Sequence, residues 1–133
     1  MVAGTDDDFT VKVIGVFPND FSYSKIDDYP MGGYEMLVRG EVMRGKFRNS
    51  FEKPEPVSPN KAEGVKFEMP DIAHTFRKGH RLMIQIQSTW FPLVDRNPQK
   101  VVNIYECADN DFQKAAIKIH TIQKMFRACL SRN

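Results

Sequence analysis

A chain of 133 residues is one domain on length alone, and it can bury roughly two-thirds of its unfolded surface around a single core. Its 41% apolar and 27% charged residues are ordinary globular values, which excludes a largely disordered chain. A net charge of +2 with no concentrated basic run argues against general nucleic-acid binding.

No stretch approaches the ~20 apolar residues of a membrane span. The leader MVAGTDDDF has neither a basic n-region nor an apolar h-region, so it reads as no signal peptide, and the chain is taken as cytoplasmic as expressed. Cys107 and Cys129 share no metal-type spacing with each other or with His74, His80 and His120, and they read as reduced thiols.

The first predicted strand is Phe9 to Phe17, with Phe9, Val11, Val13 and Phe17 on the inward row and Gly15 marking a bulge or a close backbone approach. Pro18-Asn19-Asp20 stops it, and a polar loop runs on to Gly33. A second strand covers Tyr34 to Phe47, bent at Gly40 and Gly45. The connector Asn49 to Gly64, with Pro54, Pro56 and Pro59, admits no helix. Short strands are expected at Val65 to Met69, Ile72 to Phe76 and Val101 to Tyr105.

Residues 79–98, GHRLMIQIQSTWFPLVDRNP, are the most informative stretch. Leu82, Ile84 and Ile86 alternate with Met83, Gln85 and Gln87, the pattern of a half-solvated antiparallel strand over His80 to Thr89. The tail fits two readings. Phe112, Ala115, Ala116, Ile119, Ile122 and Phe126 recur at helical spacing behind a capping Asp109-Asn110-Asp111, while Ile117 and Ile119 also alternate like a strand. Many short strands with Gly and Pro turns indicate an all-β sandwich or jelly roll, with a short C-terminal helix as one of the two readings of the tail.

The residues offer little chemistry of their own. None of the serines lies in a G-x-S-x-G frame, and Ser88 reads as a small residue at a strand end. His74 and His80, with Asp71 and Asp95 as candidate acids, lack a nucleophile and read as strand-edge histidines. Asp6-Asp7-Asp8 does not alternate as a calcium loop requires, so it reads as a solvated approach to the first strand. Arg39, Arg44, Lys46 and Arg48 read as edge charges paired with Glu35, Glu41 and Glu52, at about 0–1 kcal/mol each. No catalytic residue, cofactor or metal site is assigned.

The corner after the best strand is different. Trp90, Phe91 and Pro92 leave the strand together, and Asp95-Arg96-Asn97-Pro98 follows as a loop bonded within itself, Arg96 reaching carbonyls and Asp and Asn closing turns. Trp90, Phe91, Asp95, Arg96 and Asn97 are therefore the candidate interface or structural corner. Exposed aromatics at a sandwich end also hold sugars, which keeps a free-standing carbohydrate-binding module as the alternative function.

Four segments together resemble a known family: TDDDFTVKVIGVFP at 5–18, MGGYEMLVRGEVMRGKFRNSFEKPEPVSPNK at 31–61, HTFRKGHRLMIQIQSTWFPLVDRNP at 74–98 and DFQKA at 111–115. The chain resembles the C-terminal jelly-roll domain of the X-Pro dipeptidyl-peptidase-like (CocE/NonD type) serine hydrolases, a group of acyl esterases, cocaine esterase, glutaryl acylases and α-amino acid ester hydrolases. The resemblance implies a non-catalytic accessory domain packed on an α/β-hydrolase domain that carries the Ser, Asp and His triad. It also implies a partial jelly roll of the galactose-binding-domain-like type over residues 1–120, cut at both ends, with a divergent tail at 121–133. Sheet edges left bare in this way invite pairing with a second copy.

Overall fold

The computed structural model describes residues 1–22, 30–114 and 116–120. Three strands form one antiparallel sheet: β1 (Asp8–Val16), β2 (Glu35–Arg44) and β3 (Arg81–Gln87), in the spatial order β2-β1-β3. One-turn 3-10 helices follow at Gly45–Phe47 and Asp109–Asp111.

The central strand pairs on both sides. Thr10 faces Val42 and Gln87, Lys12 faces Gly40 and Gln85, and Ile14 faces Leu37 and Met83. Register on the β2 side shifts between Val13 and Ile14, which leaves Val38 as an extra residue opposite them. The bulge thus falls one pair away from Gly15, in the neighbouring strand. Val38 turns this slip into burial, with 9% of its surface exposed.

The inward row expected for β1 holds at Phe17, which is buried, but not at Phe9, Val11 and Val13. Thr10, Ile14 and Val16 are the deeply buried positions, at 0%, 5% and 5% exposure, while Phe9, Val11 and Val13 are half-buried. The cause is the chain that lies over each face. Trp90 packs over Lys12 and Gly40 on the even-numbered face. On the other face Phe76 approaches Gly15, but Leu82, Ile84 and Ile86 remain about half exposed.

Several expected strands are not formed. Val65 to Met69 and Ile72 to Phe76 run without regular pairing, and Val101 to Tyr105 is a series of turns and bends. Pro70 and the turn at Arg77–His80 limit the first two to stretches too short to hold a ladder. Asp109-Asn110-Asp111 is itself a 3-10 turn, in which the Asp111 carboxylate accepts from the Ala108 N–H at 3.0 Å. Phe112 to Lys114 then run on without helix. Further along, Ile117 forms an antiparallel bridge with Val2, so the strand reading holds there. Ala115, Ile122 and Phe126 lie outside the described residues, as does the tail 121–133.

His74 and His80 meet aromatic rings. His80 sits 4.5 Å from Phe17 and 5.5 Å from Phe21 between ring centroids, and His74 sits 4.7 Å from Phe76. Among the described residues, no group of three or more His, Cys, Asp and Glu is placed to hold a metal ion. Nor is any helix there long and apolar enough to cross a membrane.

Candidate functional site: a buried carboxylate clasp and an exposed corner

Asp6, Asp7 and Asp8 overturn their expected role as a solvated approach. They are exposed by only 0%, 0% and 1% of their surface. Antiparallel pairing explains this, because it lays the start of β1 beside the end of β2, with Asp8 opposite Arg44. The acidic run and the basic run Arg44-Gly45-Lys46 therefore meet, although 36 residues separate Asp8 from Arg44.

Each carboxylate has a different set of partners. Asp8 is gripped in fork geometry by Arg44, with Nε to Oδ1 at 2.8 Å and Nη2 to Oδ2 at 3.0 Å. Asp6 accepts the Lys46 backbone N–H at 2.8 Å, and the Lys46 ammonium lies 4.0 Å away. The Asn97 amide bridges the two, donating to Asp6 Oδ2 at 3.1 Å and to Asp8 Oδ1 at 2.9 Å. Asp7 accepts from Gln99 Nε2 and from the Asp8 N–H, both at 2.8 Å and both on Oδ1. Its Oδ2 is buried with no hydrogen-bond partner.

Burial decides the ionisation of this group. It pushes the Asp7 carboxyl up from the ordinary 3.8 to about 6, the Gln99 and Asp8 N–H donors acting against it and the neighbouring Asp8 and Asp6 charges adding to it. Burial also raises Asp6, opposed by the Lys46 N–H and the Asn97 amide. Arg44 is raised chiefly by its bond to Asp8, with burial opposing.

The clasp fastens three stretches of chain. Asp7 C=O accepts from Gly45 N–H at 2.7 Å, and Thr5 C=O accepts from Val57 N–H at 2.7 Å. Thr5 N–H donates to Gln99 C=O at 3.1 Å, and Gln99 holds a left-handed backbone with φ of 68°. Gly4 lies directly on Gln99 C=O, closer than any Cβ would permit. The leading segment is thus tied to the turn after β2, to the connector at Val57 and to the loop after β3.

The sequence-predicted corner divides between this clasp and the surface. Asn97 is buried at 8% exposure, and its Oδ1 accepts the Gln99 N–H at 2.8 Å. The expectation of a loop bonded only within itself is corrected here, since the Asn97 amide reaches 89 and 91 residues back to Asp8 and Asp6. Asp95 contributes its carbonyl, 3.5 Å from Arg44 Nη2. Trp90 is half-buried, its ring against Gly40 and its face under the Lys12 ammonium at 4.6 Å. Arg96, expected to reach carbonyls, instead lies 5.8 Å from the Phe91 ring and 5.1 Å from the Phe112 ring. Phe91 and Leu93 project outward at 63% and 71% exposure.

The basic strip is corrected in the same way. Arg39 pairs with Glu41 at 3.8 Å in the expected surface manner. Arg44 and Lys46 are taken up by the clasp, and Arg48 meets Glu63 at 2.8 Å and bonds the carbonyls of Gly45, Glu55 and Pro56.

Comparison with known proteins places this arrangement. The profile of the X-Pro dipeptidyl-peptidase C-terminal non-catalytic domain matches residues 2–124. Cocaine esterase of Rhodococcus sp. (strain MB1 Bresler) is 27% identical over 95 residues, covering 71% of this chain and 14% of the esterase. A solved α-amino acid ester hydrolase superposes with a TM-score of 0.78 at 43% identity, covering 86% of this chain and 18% of the hydrolase. A solved aminopeptidase from a marine sediment Thaumarchaeota archaeon superposes at 0.75 with 38% identity, again over 86% and 18%. The chain therefore spans less than one-fifth of the length of each of these relatives. The fold is of the all-β sandwich class, and its residues align along nearly their whole length with one part of larger hydrolases. A sheet whose buried polar side chains hold loops together, matched over 2–124 by that profile, belongs to the family of X-Pro dipeptidyl-peptidase C-terminal non-catalytic domains.

Proposed function

We propose that this domain is the accessory part of a serine hydrolase acting on acyl esters, amides or X-Pro peptides, and that it packs on an α/β-hydrolase catalytic domain through the Phe91-Pro92-Leu93 corner. The observation that carries this reading is the pairing of exposure with rigidity at one place. Phe91 and Leu93 are among the most exposed apolar residues, yet Trp90 beneath them is wedged on the sheet and Arg96 braces the Phe91 ring. An aromatic, a leucine and an arginine held in place on a support are the composition of an interface anchor, since little side-chain freedom is left to lose on docking. The polar clasp supports the corner from below and leaves its buried carboxylates to structure rather than catalysis.

Titrating the chain into the catalytic domain of a related α-amino acid ester hydrolase lacking its own C-terminal domain tests the reading by calorimetry. Binding is expected, and Phe91→Asp with Leu93→Asp should weaken it at least tenfold while circular dichroism stays unchanged. Residues 1–120 alone should bind as well as the whole chain, which would assign 121–133 as a tail outside the domain. Absence of binding, or binding indifferent to the corner, would refute the proposal. Ester hydrolysis by the isolated chain would refute it as well.

Association of two copies is the second reading, favoured by β3. It is an edge strand, and its Leu82, Ile84 and Ile86 are 54%, 47% and 44% exposed. A dimer in sedimentation that Ile84→Lys converts to monomer is the expected result. A monomer at every concentration would count against it.

A further inference from the structure

We propose that Asp7 is a proton-operated latch: uptake of a proton by its buried carboxyl fastens the leading segment and the Asp95–Lys100 loop to the sheet, and release of that proton loosens them.

Three buried carboxylates face one half-buried and one buried cation, and geometry assigns both cations elsewhere. Arg44 forks onto Asp8, and Lys46 lies beside Asp6. Lys100, the residue after Gln99, is bonded to Asp111 at 3.2 Å. Asp7 receives only neutral donors, the Gln99 amide and the Asp8 N–H, and both reach the same oxygen. Its other oxygen has no hydrogen-bond partner among the described residues. An ionised Asp7 thus gives the clasp one negative charge in excess and leaves a charged oxygen dry, whereas a protonated Asp7 balances the cluster.

The groups around Asp7 come from every stretch the clasp joins. They are Asp6 and Asp8 on its own segment, Arg44 on β2, Lys46 on the turn behind it, and the neutral Asn97 and Gln99 on the loop. Gln99 is the residue through which protonation reaches the loop. It holds a left-handed backbone, supports Thr5 through its carbonyl and touches Asp7 through its side chain. The Gln99 amide itself favours the charged carboxyl, so the loosening comes from the uncompensated buried charge and not from this bond, and it falls where one loop residue already holds a conformation that requires outside support.

The sign follows from the direction of the shift. Burial lifts the folded-state carboxyl to about 6 from the ordinary 3.8, so between these values the folded chain holds a proton that the unfolded chain has released. The stabilisation is complete below about pH 4 and disappears as pH rises through 6. Asp6, raised by the same cause, acts in the same direction. Glu63 and Asp111, both lowered, lose their contribution only at more acidic pH and leave the window between 5 and 7.5 clear.

The test combines two readouts on the full chain. Carbon-13 NMR of the Asp7 carboxyl should show a midpoint near pH 6, moved upward in Gln99→Leu, which removes a donor that favours the charge. Urea unfolding should show the folding constant rising roughly tenfold from pH 7.5 to 5, and Asp7→Asn, which leaves Asp6 and the three histidines in place, should remove most of that rise. A wild-type midpoint at or below pH 4 would overturn the proposal without recourse to any variant. An equal rise in wild type and Asp7→Asn would overturn it as well.

Discussion

Arg44→Met is expected to lower the stability of the domain by about 3–5 kcal/mol, the range for removing one partner of a buried ion pair. The guanidinium makes two short bonds to Asp8 and also lies beside the Asp95 carbonyl, so its loss strands a carboxylate that is 2% exposed. Methionine fills much of the same volume, which separates the electrostatic loss from a simple cavity. Adding Asp8→Asn to Arg44→Met should return a substantial part of the loss, because the amide no longer demands a counter-charge. In a domain of this size the single substitution corresponds to a fall in melting temperature of about 10–20 °C. Urea denaturation of the two single variants and the double variant measures the coupling directly. A single variant within 1 kcal/mol of wild type would mean that water screens the pair.

The clasp shows what can be read from a chain of this kind and what resists reading. Alternation at 82–87 and the glycine and proline punctuation placed the ends of the three strands within one to three residues of where they lie. The facing of β1 escaped because apolar count favoured Phe9, Val11 and Val13, while burial follows whatever chain lies above each face. Trp90 and the 95–99 loop lie over the even-numbered side. Periodicity carries no information about such long-range cover.

Asp6, Asp7 and Asp8 escaped for a related reason. A run of aspartates is solvated in nearly every setting, and only its partners make burial tolerable. A signal was present all the same. If the first two strands pair antiparallel, the acidic start of one must lie beside the basic end of the other, and Arg44-Gly45-Lys46 stands there. The register that joins them depends on the extra residue at Val38, which no local pattern announces. Asn97 was singled out for its place in an Asn-Pro corner. Its role as the bridge between two carboxylates needed the fold to bring residue 97 to residues 6 and 8.

Gly40→Val is expected to destabilise the domain by about 2–4 kcal/mol, because the space above Gly40 is occupied by the Trp90 ring. A Cβ there would run into Cη2 and Cζ3 of the indole at distances that no side-chain carbon adopts, and the ring is too rigid to give way by bending. Trp90 would have to swing off the sheet, losing its contact with the Lys12 ammonium and releasing the Phe91–Leu93 corner that it props. Glycine is therefore required at this strand position by a neighbour and not by its backbone, and the two positions should be strongly coupled. In a Trp90→Ala background the same Gly40→Val change should cost under about 1 kcal/mol, since valine is a good strand former once the ring is gone. Additive losses in that double-mutant cycle would show that the indole does not rest on Gly40, and the corner would then need some other source of rigidity.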